Sequence, residues 1–135
     1  MVVLDAWAVM AWLKGQDPAA GRVRNLLKAA GPGERKPVMN IVNLGEVFYL
    51  SVKAKDLAYG QRVLDSLRPL LAIESAADEL VMFAATLKAR HAISYADAFA
   101  AATAIRREAP LVTGDAELRA VAAAEQNLKL HWIGA

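Results

Sequence analysis

Cysteine is absent from this 135-residue sequence. Its absence excludes a disulfide framework, zinc sites built from thiolates and a cysteine nucleophile, and it fits a reducing compartment. Histidine occurs only twice, at His91 and His131, and neither residue has a partner at a spacing typical of catalysis. We therefore expect both histidines to be structural rather than catalytic.

Long hydrophobic runs are also missing. No stretch approaches the roughly 18 apolar residues that a membrane span requires. The first apolar run is short and ends at Asp5, which is not the pattern of a signal peptide. Alanine supplies much of the 56% hydrophobic content and is typical of closely packed helices. We expect a cytoplasmic protein that does not bind membranes.

A strong excess of one charge is lacking too, since the formal net charge is +2 and the sequence pI is about 9.0. This balance is compatible with a polyanionic partner but does not by itself identify one. The length predicts a single domain, residues 1–135, large enough to fold without a metal or disulfide.

Short apolar runs alternate with segments of helical periodicity along the chain. Strands are predicted over residues 2–4, 37–41, 70–73, 111–113 and 128–133. Helices are predicted over residues 6–14, 19–30, 43–55, 57–67, 76–90, 95–108 and 115–125, and residues 31–36 (GPGERK) are predicted to form a loop. Such alternation predicts an α/β fold with a parallel sheet covered by helices on both faces.

Acidic residues follow three of the predicted strands. Asp5 follows the first strand, Glu46 lies just beyond the second, and Asp115 follows the fourth in the segment LVTGD. In a parallel sheet these positions share the carboxyl edge, where ligands bind. We therefore expect these three side chains to lie close together. A fourth acid, Asp97, follows a predicted helix rather than a strand, so the shared edge of the sheet does not predict its position.

Each acid also has an ordinary explanation as a helix cap. Asp5 and Asp115 would cap the helices that follow them. Asn43 and Glu46 have the spacing of a capping box, as do Ser94 and Asp97. Tryptophans such as Trp7 are expected to pack in the core or an interface rather than to stack on bases.

Taken together, the acids favour a metal site. Carboxylates crowded at one edge would repel one another and raise one another's pKa values, and a divalent cation removes that cost. The predicted ligands are carboxylate oxygens and the Thr113 hydroxyl, a set that selects Mg²⁺ or Mn²⁺ over Zn²⁺. Such an ion suits phosphate chemistry.

The order of these motifs resembles that of the PIN-domain ribonucleases. The chain has an Asp after its first strand, Asn43-x-x-Glu46, Asp97 in the helix ADAFAAATA, and LVTGD at residues 111–115. In length and compactness it is similar to the VapC toxins of VapBC toxin–antitoxin pairs. The resemblance extends from Val2 to about Ile133.

That resemblance implies a three-layer α/β/α fold with a five-stranded parallel sheet and a Mg²⁺- or Mn²⁺-dependent endoribonuclease. Asp5, Glu46, Asp97 and Asp115 match the acidic quartet of the family. It implies that Asp5 and Asp97 ligate a metal ion directly, and that Glu46 and Asp115 bind a second ion or position metal-bound water. It also implies that Thr113 supports the last acid.

The expected partners, by the same resemblance, are an RNA substrate, a small VapB-like antitoxin and a second copy of the chain in a homodimer. There is one departure, because many relatives carry Ser or Thr where this chain has Trp7. A small hydroxyl there would assist the metal site, so that role is missing or is supplied by another residue.

Other functions stay open. A housekeeping PIN nuclease acting in RNA maturation has the same residues as a toxin. A non-catalytic acidic module that binds a basic peptide would use the acids as helix caps alone. A haloacid-dehalogenase-type phosphatase would need an Asp at position 7. A receiver domain would need a lysine after the fourth strand, and the segment TGDAEL has none.

Overall fold

The computed structural model describes residues 1–31 and 35–135. It contains five strands: β1 (Val3–Leu4), β2 (Val38–Asn40), β3 (Ala72–Glu74), β4 (Leu111–Thr113) and β5 (Leu130–Trp132). Its α-helices are α1 (Ala6–Leu13), α2 (Ala19–Ala30), α3 (Ile41–Ala54), α4 (Leu57–Leu67), α5 (Asp78–Arg90), α6 (Tyr95–Arg107) and α7 (Ala116–Ala124). Half of the predicted loop at 31–36, residues 32–34, lies outside the described residues.

The strands form one parallel sheet in the order β3-β2-β1-β4-β5. The chain moves outward from β1 to β3 in one direction and then crosses to β4 and β5 on the other side. The strand order therefore reverses between β1 and β4, and in open α/β sheets the carboxyl edge at such a point is where ligands bind. The predicted five-stranded parallel sheet is confirmed.

Helices cover both faces of the sheet. Successive residues of a strand point to opposite faces, so the strands contribute to two cores. Val3, Val38 and Leu111 face a core shared with α5, α6 and α7. Their neighbours Leu4, Met39 and Val112 face a second core formed with α1, α2, α3 and α4. Both faces of the three central strands, β1, β2 and β4, are buried, which explains why these strands are short apolar runs rather than alternating ones.

Several predicted boundaries were wrong by a few residues. The 70–73 strand begins later, at Ala72, because Pro69 lies in a 3₁₀ turn over Arg68–Leu70. The 128–133 strand pairs with β4 only over Leu130–Trp132. Within residues 1–31 and 35–135, no helix has the length and apolar character needed to cross a membrane.

Candidate functional site

Asp5 ends β1 and begins α1 with its own side chain. One carboxylate oxygen, Oδ1, accepts a hydrogen bond from the Ala8 backbone N–H at 2.8 Å, so the residue is the N-cap of α1. The other, Oδ2, accepts from the Thr113 hydroxyl at 2.5 Å. Asp5 is only 1% exposed. It is therefore a buried, fully hydrogen-bonded carboxyl at the junction of β1 and β4.

Thr113 connects the first and last predicted acids. While its hydroxyl donates to Asp5, the same oxygen accepts a hydrogen bond from the Asp115 backbone N–H at 3.0 Å. Asp115 in turn accepts from the Glu117 N–H at 2.8 Å and caps α7. The hydroxyl thus fixes the backbone that carries Asp115, and it contacts the carboxylate of Asp5.

Asp97 comes to the same place through helix α6. Ser94 caps this helix and accepts a hydrogen bond from the Asp97 N–H at 3.1 Å, as the Ser94–Asp97 spacing predicted. Every residue from Ala98 to Ala104 is buried, and Thr103 is the one polar residue among them, so α6 packs closely against the sheet. The first turn of α6 therefore projects Asp97 over the carboxyl edge.

The predicted capping box at Asn43 was wrong. Helix α3 begins at Ile41 rather than at Asn43, and its N-cap is Asn40, whose side chain accepts from the Val42 N–H. Asn43 is instead fully buried, and its amide Nδ2 donates at 2.8 Å to the Ala96 carbonyl, next to Asp97. The side chain that looked like a local cap is a long-range link between α3 and α6.

Glu46 lies one turn after Asn43 on α3. Its side chain is half-buried and faces the same cavity as Asp97 and Asp115. Its Oε1 atom is buried and has no hydrogen-bond partner among the residues that the structure describes. A buried carboxylate oxygen without a partner is costly, so this atom is suited to a ligand that supplies positive charge.

The acids form a cluster that includes one residue the sequence reasoning missed. Ligand oxygens of Asp97, Asp115 and Glu117 all lie within 4.8 Å of one another. The sequence analysis did not consider Glu117, and an acid in the first turn of a helix is common. The signal was its spacing, since residues two apart at the start of α7 brought both carboxylates to one end of the helix.

Burial and repulsion from neighbouring acids raise the pKa values of Asp5, Asp97 and Glu46. Burial raises the pKa of Asp5 to about 7, against the opposing hydrogen bonds from Thr113 and Ala8, and the charges of Asp97 and Asp115 add to the rise. Burial also raises the pKa of Asp97 to about 7, with further contributions from Asp115 and Glu46. The pKa of Glu46 is raised by burial and by Asp115.

The cluster opens into a cavity of about 240 Å³. Asp5 is buried and is not among the residues that line this cavity. The wall is formed by acids of the cluster together with side chains of α1, α3 and the α6 cap: Trp7, Met10, Lys14, Gln16, Glu46, Leu50, Ser94, Asp97 and Asp115. Neither thiol nor imidazole is among these described lining residues. The donors are carboxylate oxygens, which fit Mg²⁺ or Mn²⁺.

Most of the chain matches one family model. The model of the PIN domain family matches residues 2–124. The chain belongs to the PIN domain family. Among curated proteins, none matches this chain.

Solved structures with the same PIN fold include proteins of toxin–antitoxin pairs. VapBC2 from Rickettsia felis, bound to a DNA fragment from its promoter, aligns with a TM-score of 0.71 and 22% identity over 97% of this chain and 98% of that one. VapC20 from Mycobacterium tuberculosis, a sarcin–ricin loop cleaving toxin, aligns with a TM-score of 0.73 and 17% identity over 89% and 94% of the two chains. At these identities the likeness establishes the fold.

Proposed function

We propose that this PIN domain, residues 1–135, is a Mg²⁺- or Mn²⁺-dependent endoribonuclease and the toxin of a type II toxin–antitoxin module in the cytoplasm. The observation that carries the proposal is the acidic cluster at the reversal of strand order, where Asp97, Asp115 and Glu117 present oxygens within 4.8 Å. Such a cluster is stable in its charged form when a cation neutralises it.

Asp97, Asp115 and Glu117 would hold the metal ion, and the unpartnered Oε1 of Glu46 would take a second ion or a metal-bound water. A divalent ion bound there supplies Lewis acidity and a water of lowered pKa for hydrolysis of a phosphodiester bond. Asp5, which is buried beside these acids, would be a further ligand once a cation favours its charged form. Thr113 holds Asp5 and the backbone of Asp115 in place.

The proposed protein partners rest on the similar solved structures and on the family resemblance. Solved structures similar to this chain include toxin–antitoxin complexes from Klebsiella pneumoniae and DNA-bound VapBC from Salmonella typhimurium. We infer from these complexes that this chain pairs with a small VapB-like antitoxin, and from the family resemblance that it forms a homodimer. The toxin is favoured over a housekeeping nuclease because VapBC proteins recur among these structures.

The decisive experiment exposes a panel of cellular RNAs to the purified protein, with EDTA, Mg²⁺ or Mn²⁺. A synthetic sarcin–ricin loop belongs in the panel because VapC20 cleaves that loop. We expect cleavage that EDTA abolishes and divalent ions restore. The Asp97→Asn variant should fold and lose at least a hundredfold in rate, a typical loss when a charge that acts on the transition state is removed.

The matched control is Asp65→Asn, which removes the same charge from an exposed position on α4. It should cleave like the wild-type protein. Full cleavage by a folded Asp97→Asn protein, or cleavage that is indifferent to EDTA, would refute the proposed site. Tight binding of a basic peptide without any cleavage of RNA would favour the acidic binding module instead.

A further inference from the structure

Trp7 stands beside the acidic cluster. It lies in the first turn of α1, two residues after Asp5, and lines the same cavity as Asp97 and Asp115. Its six-membered ring rests on Gly114, since an ideal Cβ built there would lie 2.2, 2.4 and 2.6 Å from three ring carbons. Because Gly114 directly precedes Asp115, the indole is held next to the acids.

The contact with Gly114 covers one part of the indole and leaves another part in the cavity wall. Met10 and Leu50 supply apolar surface around it, and Gln16 supplies an amide that can donate and accept hydrogen bonds. An aromatic side chain with apolar neighbours and one amide offers a flat, partly polar ring a place to stack.

Lys14 provides the charge that a nucleotide also needs. It follows Trp7 by seven residues at the end of α1, so both side chains lie on one face of the helix. Among the described residues that line the cavity, Lys14 is the one with a positive charge. A polyanion approaching a wall of carboxylates therefore meets a single cation, on the Trp7 side.

We propose that Trp7 stacks on a base of the RNA substrate while Lys14 contacts a neighbouring phosphate, so that these two residues position the strand over the acidic cluster. The inference rests on the proposed nuclease function and identifies the part of the site that binds the substrate. Stacking on an aromatic side chain suits single-stranded RNA, whose bases are free to leave their neighbours.

The test uses a single-stranded RNA oligonucleotide spanning the site cut in the RNA panel, and a series in which one base at a time is replaced by an abasic ribose. We expect Trp7→Leu to raise KM about tenfold with little change in kcat, within the range that one stacked base contributes. Trp7→Phe should keep most of the affinity. Lys14→Gln should raise KM and weaken its salt dependence, whereas Lys28→Gln, on the exposed side of α2, should not.

The abasic series identifies the stacked base. On the wild-type protein, loss of one particular base should raise KM as much as Trp7→Leu does, and on the Trp7→Leu protein the same loss should have no further effect. The proposal would be overturned if removal of that base raised KM equally on the wild-type and Trp7→Leu proteins, or if folded Trp7→Leu had an unchanged KM. If Trp7→Leu does not fold, an abasic series without any effect on the wild-type protein overturns it as well.

A binding measurement separates this inference from the nuclease proposal. Fluorescence anisotropy of labelled oligo(U) on the Asp97→Asn protein reports affinity without cleavage. Weaker binding after Trp7→Leu in that background supports stacking even if the wild-type protein cuts no RNA. An affinity for RNA that does not depend on Trp7 overturns stacking even if the wild-type protein is an active nuclease. The same result is expected if this surface binds a peptide instead of RNA.

Discussion

The Thr113 hydroxyl donates a hydrogen bond of 2.5 Å to the Asp5 carboxylate, although 108 residues separate the two in the chain. The pair joins β1 to β4 at the point where the strand order reverses. Because Thr113 also accepts from the Asp115 N–H, one hydroxyl determines the geometry of two of the predicted acids.

Thr113→Val should therefore destabilise the protein by about 1–3 kcal/mol, because it keeps the shape and leaves the buried Asp5 carboxylate and the part-buried Asp115 N–H without this partner. The rate of RNA cleavage should fall with it. Urea denaturation and cleavage assays measure the two effects. Thr113→Ser, which keeps the hydroxyl, is the control and should stay close to wild type. Similar stability of the Val and Ser variants would show that the hydroxyl is not needed.

Divalent ions should raise the melting temperature, since they bind the assembled cluster and not the unfolded chain. An ion at about ten times its Kd adds about 1.4 kcal/mol, which is roughly 3–5 °C for a domain of this size. Glu117→Gln should reduce the shift because it removes one of the three clustered carboxylates. Asp65→Asn should leave the shift intact. An undiminished shift in Glu117→Gln would remove that residue from the site.

Without metal, the stability should fall as the pH rises. The pKa values of Asp5 and Asp97 are raised to about 7 in the folded protein, from 3.8 for an ordinary aspartate. Between the unfolded and folded pKa values, the folded protein binds protons that the unfolded chain has released. The stabilisation that Asp5 and Asp97 contribute is therefore complete below the unfolded pKa and is lost as the pH rises through the folded pKa.

Urea denaturation in EDTA at about pH 5 and about pH 8 checks this dependence. The Asp97→Asn protein serves as the reference, because it shares every other titrating group. The wild-type protein should lose stability relative to this variant as the pH rises, and Mn²⁺ should reverse part of the loss. A difference between the two proteins that does not change with pH would contradict the raised pKa of Asp97.

Gly114→Ala should disturb the indole of Trp7. The added Cβ would lie 2.2 Å from a ring carbon, closer than any real contact, so the ring must move, at a cost of about 1–3 kcal/mol. In a Trp7→Leu background that cost should largely disappear, which a double-mutant cycle measures. Gly45→Ala is the control, because nothing lies within 4 Å of its Cβ position and alanine favours a helix. Equal effects at both glycines would contradict the packing.

The sheet could be predicted from the sequence because each buried strand is a short apolar run and each helix carries a 3.6-residue period. Parallel topology alone predicted one shared edge for Asp5, Glu46 and Asp115. Glu46 and Asp115 line the same cavity, whereas Asp5 is buried and does not line it. The position of Asp97 did not follow from the topology, since α6 comes after another helix rather than after a strand. The family resemblance alone predicted that Asp97 belongs to the site. The structure shows why it arrives there: the Ser94 cap and the Asn43 link to Ala96 fix the first turn of α6.

Asn43 shows the limit of local patterns. Its spacing to Glu46 satisfies a capping box, yet the strand ends one turn earlier and Asn40 takes the cap. No local feature distinguishes a side chain that caps its own helix from one that reaches another helix 53 residues away. Glu117 was missed for a related reason, because a first-turn acid and a metal ligand look alike until the neighbouring carboxylates are placed.

The pairing of β1 with β4 has a consequence for synthesis of the protein. The centre of the sheet is completed by a strand that leaves the ribosome late, and Thr113, Asp115 and Glu117 emerge with or after it. A nascent chain that ends before this strand carries Asp5, Glu46 and Asp97 but lacks Thr113, Asp115 and Glu117. The acidic cluster is therefore incomplete until β4 and the start of α7 have been synthesised.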